Sequence, residues 1–299
     1  MTLSPASRRL LADLEAEAAP EDHLAARAAA RAAALAAPGR VGLDQVEDLD
    51  AGGVPARLYR PRLGAPLALY VHGGGWVFHD LETHDVFCRH LAHTTGWALL
   101  AVDYRRAPEH PFPAPLDDVT AAAAWIRGGG LEPFRVDTSW LPGIGDSSGA
   151  NLVAALTVRD PARLDAQVLM YPPVDRDAVL DAEQSNAALD VEAMGWFWDQ
   201  YAGGADRRHP EVSPALAADL STTPRTLLVT AEHDVLAEQG RAYAAALDAA
   251  GVDVTAWQVD GAVHSFWRQP ERFAASRSLV VTVGALLSTW RAEAGRSPD

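Results

Sequence analysis

Gly145-Asp146-Ser147-Ser148-Gly149 sets one serine between small residues. As a G-x-S-x-G turn from strand to helix, the pattern would lift the Ser147 hydroxyl above a sheet as a nucleophile. The helix below would aim free N–H groups and a positive dipole end at an oxyanion. A plain Gly-Ser turn is the competing reading. A dinucleotide fingerprint beginning at Gly143-x-Gly145 fails, because Ser148 stands where a third glycine is required. A second element, His72-Gly73-Gly74-Gly75-Trp76, follows another apolar run. Three glycines in a row let backbone N–H groups approach a ligand unhindered, as the other half of an oxyanion hole needs. The expected donors are Gly73, Gly74, Gly75 and Ser148.

A serine nucleophile needs a base, and the base needs an orienting acid, in the chain order Ser, acid, His for this turn. After Ser147, the loop past residues 226–230 offers Glu232 and Asp234, and the loop past 254–259 offers His264. Asp234 is preferred for its deeper place in the loop, four residues past the strand. Its competing role is to cap the helix at 237–250.

Other groups carry weaker signals. His79, His84, Cys88, His90 and His93 fall within fifteen residues. The i, i+4 spacing of His84 and Cys88 could serve zinc, against a plain surface helix. Cys88 has no activating motif and reads as a small buried apolar residue. Glu109 and His110 sit among Pro108, Pro111 and Pro113 and read as a rigid loop. Trp76, Trp196 and Trp198 are candidates for a substrate pocket. The aromatics of 196–201 either line an acyl pocket or pack a helical insertion.

These residues need elements to position them. Apolar runs at 67–71, 98–102, 141–144, 168–171, 226–230 and 254–259 predict buried strands. Helix-length segments at 84–93, 113–127, 149–158 and 237–250 alternate with them, and 276–294 closes the chain. That alternation predicts an α/β fold with a mostly parallel sheet and helices on both faces. Runs at 46–49 and 54–59 flank Ala51-Gly52-Gly53 and predict a hairpin. Residues 7–37 predict two helices split at Pro20. The Gly128-Gly129-Gly130 loop is no phosphate cradle, since no Gly-Lys-Ser/Thr follows.

The chain resembles the hormone-sensitive-lipase-like branch of the α/β-hydrolase family, whose bacterial members are carboxylesterases. The matching pieces are His72–Trp76, the run from Asp103 to Pro113, Gly145–Gly149, Tyr171-Pro172, Ser213-Pro214, Asp234-Val235-Leu236 and His264-Ser265-Phe266. The resemblance implies an eight-stranded α/β-hydrolase sheet and a helical cap. It divides the chain into 1–40 and 181–208 as cap, and 41–180 and 209–299 as core. Three positions depart from the family pattern. Ser148 and Ala150 replace the usual Ala and Gly, and Arg106 stands where Leu is usual. Ala150 would put a methyl where helix and strand approach closely.

Composition narrows the chemistry. All 25 basic residues are arginine, because the chain has no lysine. That excludes an internal Schiff base, a Walker-A lysine and a Ser-x-x-Lys dyad. A net charge of −15 disfavours nucleic acid and anionic membrane surfaces. With one cysteine, no intrachain disulfide forms. No signal-like or membrane-spanning apolar run is present, so a cytoplasmic protein is expected. The expected activity is hydrolysis of a small short-to-medium-chain carboxylic ester through an acyl-enzyme on Ser147, His264 and Asp234. No cofactor or metal is expected, and a homodimer stays open. Two alternatives remain. One is an amide, formamide or lactone hydrolase using the same residues. The other is a non-catalytic binding protein on the same fold, which the retained His264 disfavours.

Overall fold

A computed structural model describes residues 2–16 and 22–296. Pro20 lies outside the described residues; α1 (Pro5–Ala16) and α2 (His23–Ala36) stand on either side of it. The hairpin follows as β1 (Gln45–Asp50) and β2 (Pro55–Arg60). The alternating part runs β3 (Leu67–Val71), α3 (Leu81–Thr95), β4 (Ala98–Val102), α4 (Ala114–Arg127), β5 (Pro142–Asp146), α5 (Ser148–Arg159) and β6 (Ala166–Met170). After α6 (Val191–Ala202) come β7 (Arg225–His233), α7 (Ala237–Ala249), β8 (Val254–Val263) and α8 (Ala274–Ala294). No helix among the described residues is long and apolar enough to cross a membrane.

The eight strands form one sheet in the order β1-β2-β4-β3-β5-β6-β7-β8. Only the β1–β2 and β2–β4 pairs are antiparallel. Strands β3, β4, β5 and β6 are buried at every residue, which is why they read as unbroken apolar runs. One face packs Leu69, Leu100 and Leu169 with α4, α5 and α7. The other packs Tyr70, Ile144 and Val168 with α1, α3 and α8. Winding reverses at β3 and β5: β4 lies on one side of β3 and β5 on the other. Ligands bind outside the C-terminal ends of strands at such a point. Those ends are Val71, before the three glycines, and Asp146, before Ser147, with Val71 registered on Gly145.

Three boundaries near the site differ from the sequence reading, for physical reasons. Helix α3 starts at Leu81 because Asp80 and Thr83 form a capping box, each side chain accepting the other's backbone N–H at 2.9 and 2.8 Å. Strands β7 and β8 extend past their apolar runs, pairing Ala231 with Val259 and, after an irregularity, His233 with Val263. Polar residues and Gly261 (φ +67°) hide that extension from a hydrophobicity reading. Glu232 is therefore a strand residue, and Asp234 is the first residue beyond β7 rather than the fourth.

The close approach of helix and strand falls on Gly149, not at Ala150. A Cβ on Gly149 would stand 2.1 Å from the Val71 carbonyl oxygen, whereas Ala150 is fully buried in the core with its methyl accommodated. Arg106 donates to the His79 carbonyl. Glu109 is a structural anion: Arg27 of α2 grips it through two bonds of 2.7 and 2.9 Å, holding its carboxyl down at about 2. The loop that carries it is thereby tied to α2.

Gly149→Ala should lower the stability of the fold by about 3 kcal/mol or more, since backbone cannot yield as a side chain does. Gly195→Ala, in α6 with nothing within 4 Å of the new methyl, should instead gain about 0.5–1 kcal/mol. Urea unfolding of both variants checks the pair; equal midpoints would contradict the packing argument.

Candidate active site

Ser147 joins β5 to α5 with φ 52° and ψ −124°, a left-handed backbone that few non-glycine residues adopt. Such strain costs about 1–3 kcal/mol and persists only where the surroundings enforce it. Here they do. The Ser147 N–H donates to the Met170 carbonyl at 2.8 Å, and α5 presses against the end of β3 at Gly149. The result is a hydroxyl standing above the sheet.

The extended β7 and β8 bring the other two groups to it. Asp234 Oδ2 accepts from His264 Nδ1 at 2.7 Å, and His264 Nε2 lies 2.9 Å from Ser147 Oγ. The Asp234 and His264 side chains are almost wholly buried. Asp234 Oδ1 also accepts the Leu236 N–H at 2.9 Å, so one carboxylate both fastens the turn before α7 and lies against the imidazole. Glu232 is directed elsewhere: its Oε2 accepts the Gly261 N–H at 2.6 Å across to β8.

The glycine loop is held from below by Asp146. Its Oδ1 accepts the Tyr70 hydroxyl at 2.7 Å and the Gly73 N–H at 3.1 Å. Burial would raise this carboxyl, but His84, Arg268 and Tyr70 outweigh it and hold it well below the usual range. The Gly73 assignment is thereby corrected: its N–H is engaged by Asp146 and is not available to an oxyanion. The Gly74, Gly75 and Ser148 N–H groups have no partner among the described residues, and all three residues line the cleft beside Ser147. The Gly73 carbonyl accepts from His72 Nδ1 at 2.9 Å and His79 Nδ1 at 3.2 Å. Burial pushes the His72 imidazole down to about 3, so it sits as the neutral Nδ1–H form, stacked on Tyr104.

The cleft measures about 810 Å³ including its open mouth. Trp76 lines it, stacked on Tyr201 at 4.3 Å. Trp196 and Trp198 do not. Successive helical residues point about 100° apart, so Trp198 turns inward behind Trp76 and Trp196 turns out to solvent, 40% exposed. Phe197 between them faces the cleft with Met194, its ring lying directly over Gly75. The sequence reading weighed Phe197 only as one of the aromatics of 196–201, and it missed Met194 and also Leu10 and Leu14 of α1, which line the same cleft. The i, i+3 and i, i+4 spacings of these pairs are the signal that could have found them.

The histidine-rich segment does not gather into a metal site. Among the described residues, no three His, Cys, Asp or Glu side chains converge as a metal would require. Cys88 is fully buried, and burial pushes its thiol well up.

Residues 68–268 match the α/β hydrolase fold family. An ethyl acetate hydrolase of Pseudomonas putida is 36% identical over 248 residues, which cover 78% of this chain and 78% of that protein. An esterase of Pyrobaculum calidifontis superposes with a TM-score of 0.87 at 33% identity, covering 98% of this chain and 99% of that one. An esterase of the bacterial hormone-sensitive lipase family gives 0.84 at 28% identity, over 97% and 99%. With the switch-point cleft and this sheet order, the chain belongs to the α/β hydrolase fold family, in its hormone-sensitive-lipase-like branch of carboxylesterases.

Proposed function

We propose that the protein cleaves small carboxylic esters through an acyl-enzyme on Ser147. The observation that carries this reading is the run of two hydrogen bonds, Asp234 to His264 and His264 to Ser147, opening beside three N–H groups without a partner among the described residues. His264 Nε2 accepts the Ser147 proton as Oγ attacks the carbonyl carbon. Asp234 keeps Nδ1–H pointed away and stabilises the imidazolium that forms. The Gly74, Gly75 and Ser148 N–H groups receive the oxyanion. His264 then protonates the leaving alcohol, and water repeats the sequence on the acyl-enzyme.

The apolar wall of Leu189, Met194 and Phe197 takes the acyl chain. Each buried methylene adds about 0.8 kcal/mol until the wall is reached. Crowding beyond it costs about 1–3 kcal/mol. Acetate to hexanoate esters are therefore the preferred range. Helix α1 and the segment 181–208 act as the cap over this site, since Leu10 and Leu14 of the one and Leu189, Met194 and Phe197 of the other line the cleft.

A fluorophosphonate probe should add one mass increment at Ser147. Ser147→Ala should abolish the labelling and lower kcat by about three to six decades; labelling that survives the substitution would remove the nucleophile assignment. Asp234→Asn should cost several decades in kcat, because the imidazole loses both orientation and counter-charge. Glu232→Gln should cost far less, and the reverse order would transfer the role to Glu232.

Chain preference provides the third check. Phe197→Ala should move the optimum on a p-nitrophenyl acetate-to-palmitate series toward longer chains. Trp196→Ala should leave it in place, since that ring lies outside the cleft. A shift in the second variant alone would contradict the assigned wall.

A further inference from the structure

One arginine lines the cleft, Arg268, on the short 3-10 turn Phe266–Arg268 just past His264. Its bonding is incomplete. Nε stands 3.6 Å from Asp146 Oδ2, and Nη1 stands 3.4 Å from His84 Nε2. Nη2 has no partner among the described residues. Many other guanidinium groups meet a carboxylate directly, as Arg105 meets Asp118 at 2.7 Å and Arg57 meets Glu82 at 2.8 Å. Asp146, for its part, is already bonded by Tyr70 and Gly73 through its other oxygen. Arg268 thus holds unused donor capacity, in a side chain only 21% exposed.

The position of Arg268 says which part of an ester would meet it. His264 gives its proton to the leaving oxygen, so the alcohol half lies on the side served by the His264 loop. Arg268 and Gln269 are side chains of that loop that line the cleft. The acyl half falls against the apolar wall of Met194 and Phe197. A chain with a net charge of −15 repels anions in general. A partly desolvated guanidinium is what would make one anionic group welcome at this point, through charge-assisted bonds.

We propose that Arg268, with Gln269 beside it, forms a subsite for a carboxylate on the alcohol half, so that the preferred substrates are O-acyl hydroxycarboxylates. The proposal rests on the esterase reading above. The acyl carbon–oxygen bond breaks, water supplies hydroxide to the acyl carbon and a proton to the alcohol, and the carboxylate takes no part in bond exchange. The products are a short carboxylic acid and a free hydroxycarboxylate.

The test compares 4-acetoxybenzoate with 4-acetoxybenzamide, which share an acyl group and ring and differ in the charge on the alcohol half. The intact protein should show a kcat/KM ratio favouring the carboxylate by about 10-fold or more, expressed mainly in KM, as a charged hydrogen bond predicts. Added salt should shrink that ratio. Arg268→Gln should collapse it, and Arg268→Lys should keep part of it. A ratio near one in the intact protein would overturn the subsite. So would an equal loss on both esters in Arg268→Gln, which would make Arg268 only a support for Asp146. Failure of the esterase reading looks different: neither ester would turn over, and Ser147 would not take the fluorophosphonate.

Discussion

A single buried carboxylate holds the two halves of this site together. Asp146 ends β5 immediately before Ser147, and it ties down Gly73, the second residue past β3. Removing that charge from water is costly, and only a full set of partners offsets the cost. Tyr70 and Gly73 bond one oxygen, while His84 and Arg268 stand near enough to favour the ionised form. The geometry that follows is restrictive. Ser147 and the glycine loop cannot drift apart without exposing or orphaning a charge. By occupying the Gly73 N–H, the same carboxylate leaves the next two amides to face the cleft.

The sheet and the three side chains that the structure brings together, Ser147, His264 and Asp234, were legible in the sequence because each leaves a local mark. Buried parallel strands are apolar throughout, and helices begin and end at caps. Ser147 and His264 lie in short patterns whose chemistry needs those residue types. Where reading failed, the deciding contact was tertiary. Nothing local says that Gly73 donates to a residue 73 positions away. Nothing local says that β7 and β8 keep pairing beyond their apolar runs, which moved Glu232 into a strand and brought Asp234 to the strand's end. The aromatic run of α6 shows the same limit. Four rings in six residues announce packing, but helical phase decides that Phe197 meets the cleft while Trp198 braces Trp76 and Trp196 faces water.

The cleft draws its walls from distant parts of the chain. Leu10 and Leu14 come from α1, Met194 and Phe197 from α6, and Ser147 and His264 from the ends of β5 and β8. Helix α1 is not loosely laid over the rest. The Ser4 N–H and the Ser7 hydroxyl both donate to the Gly261 carbonyl, at 2.9 and 2.6 Å. Gly261 also donates to Glu232 and lies three residues before His264. The first helix and the histidine loop are thus fastened to one peptide unit, so the wall that α1 gives the cleft is set by the same strand that leads to His264.

The all-arginine composition has a consequence at high pH. A lysine loses its charge near pH 10.4, whereas guanidinium keeps its proton past pH 12. The ion pairs that bind α2 to the Glu109 loop and β2 to α3 therefore survive into strongly alkaline solution. The groups that give way are buried neutral acids, the Cys88 thiol first and then the phenols. All six tyrosines are buried, and burial raises each well above its ordinary value. Below pH 10 they are neutral in both the folded and the unfolded chain. Above it the unfolded chain ionises and the folded one does not, so stability falls as pH rises. The alkaline limit of this fold belongs to its hidden thiol and hydroxyls, and its salt bridges outlast them.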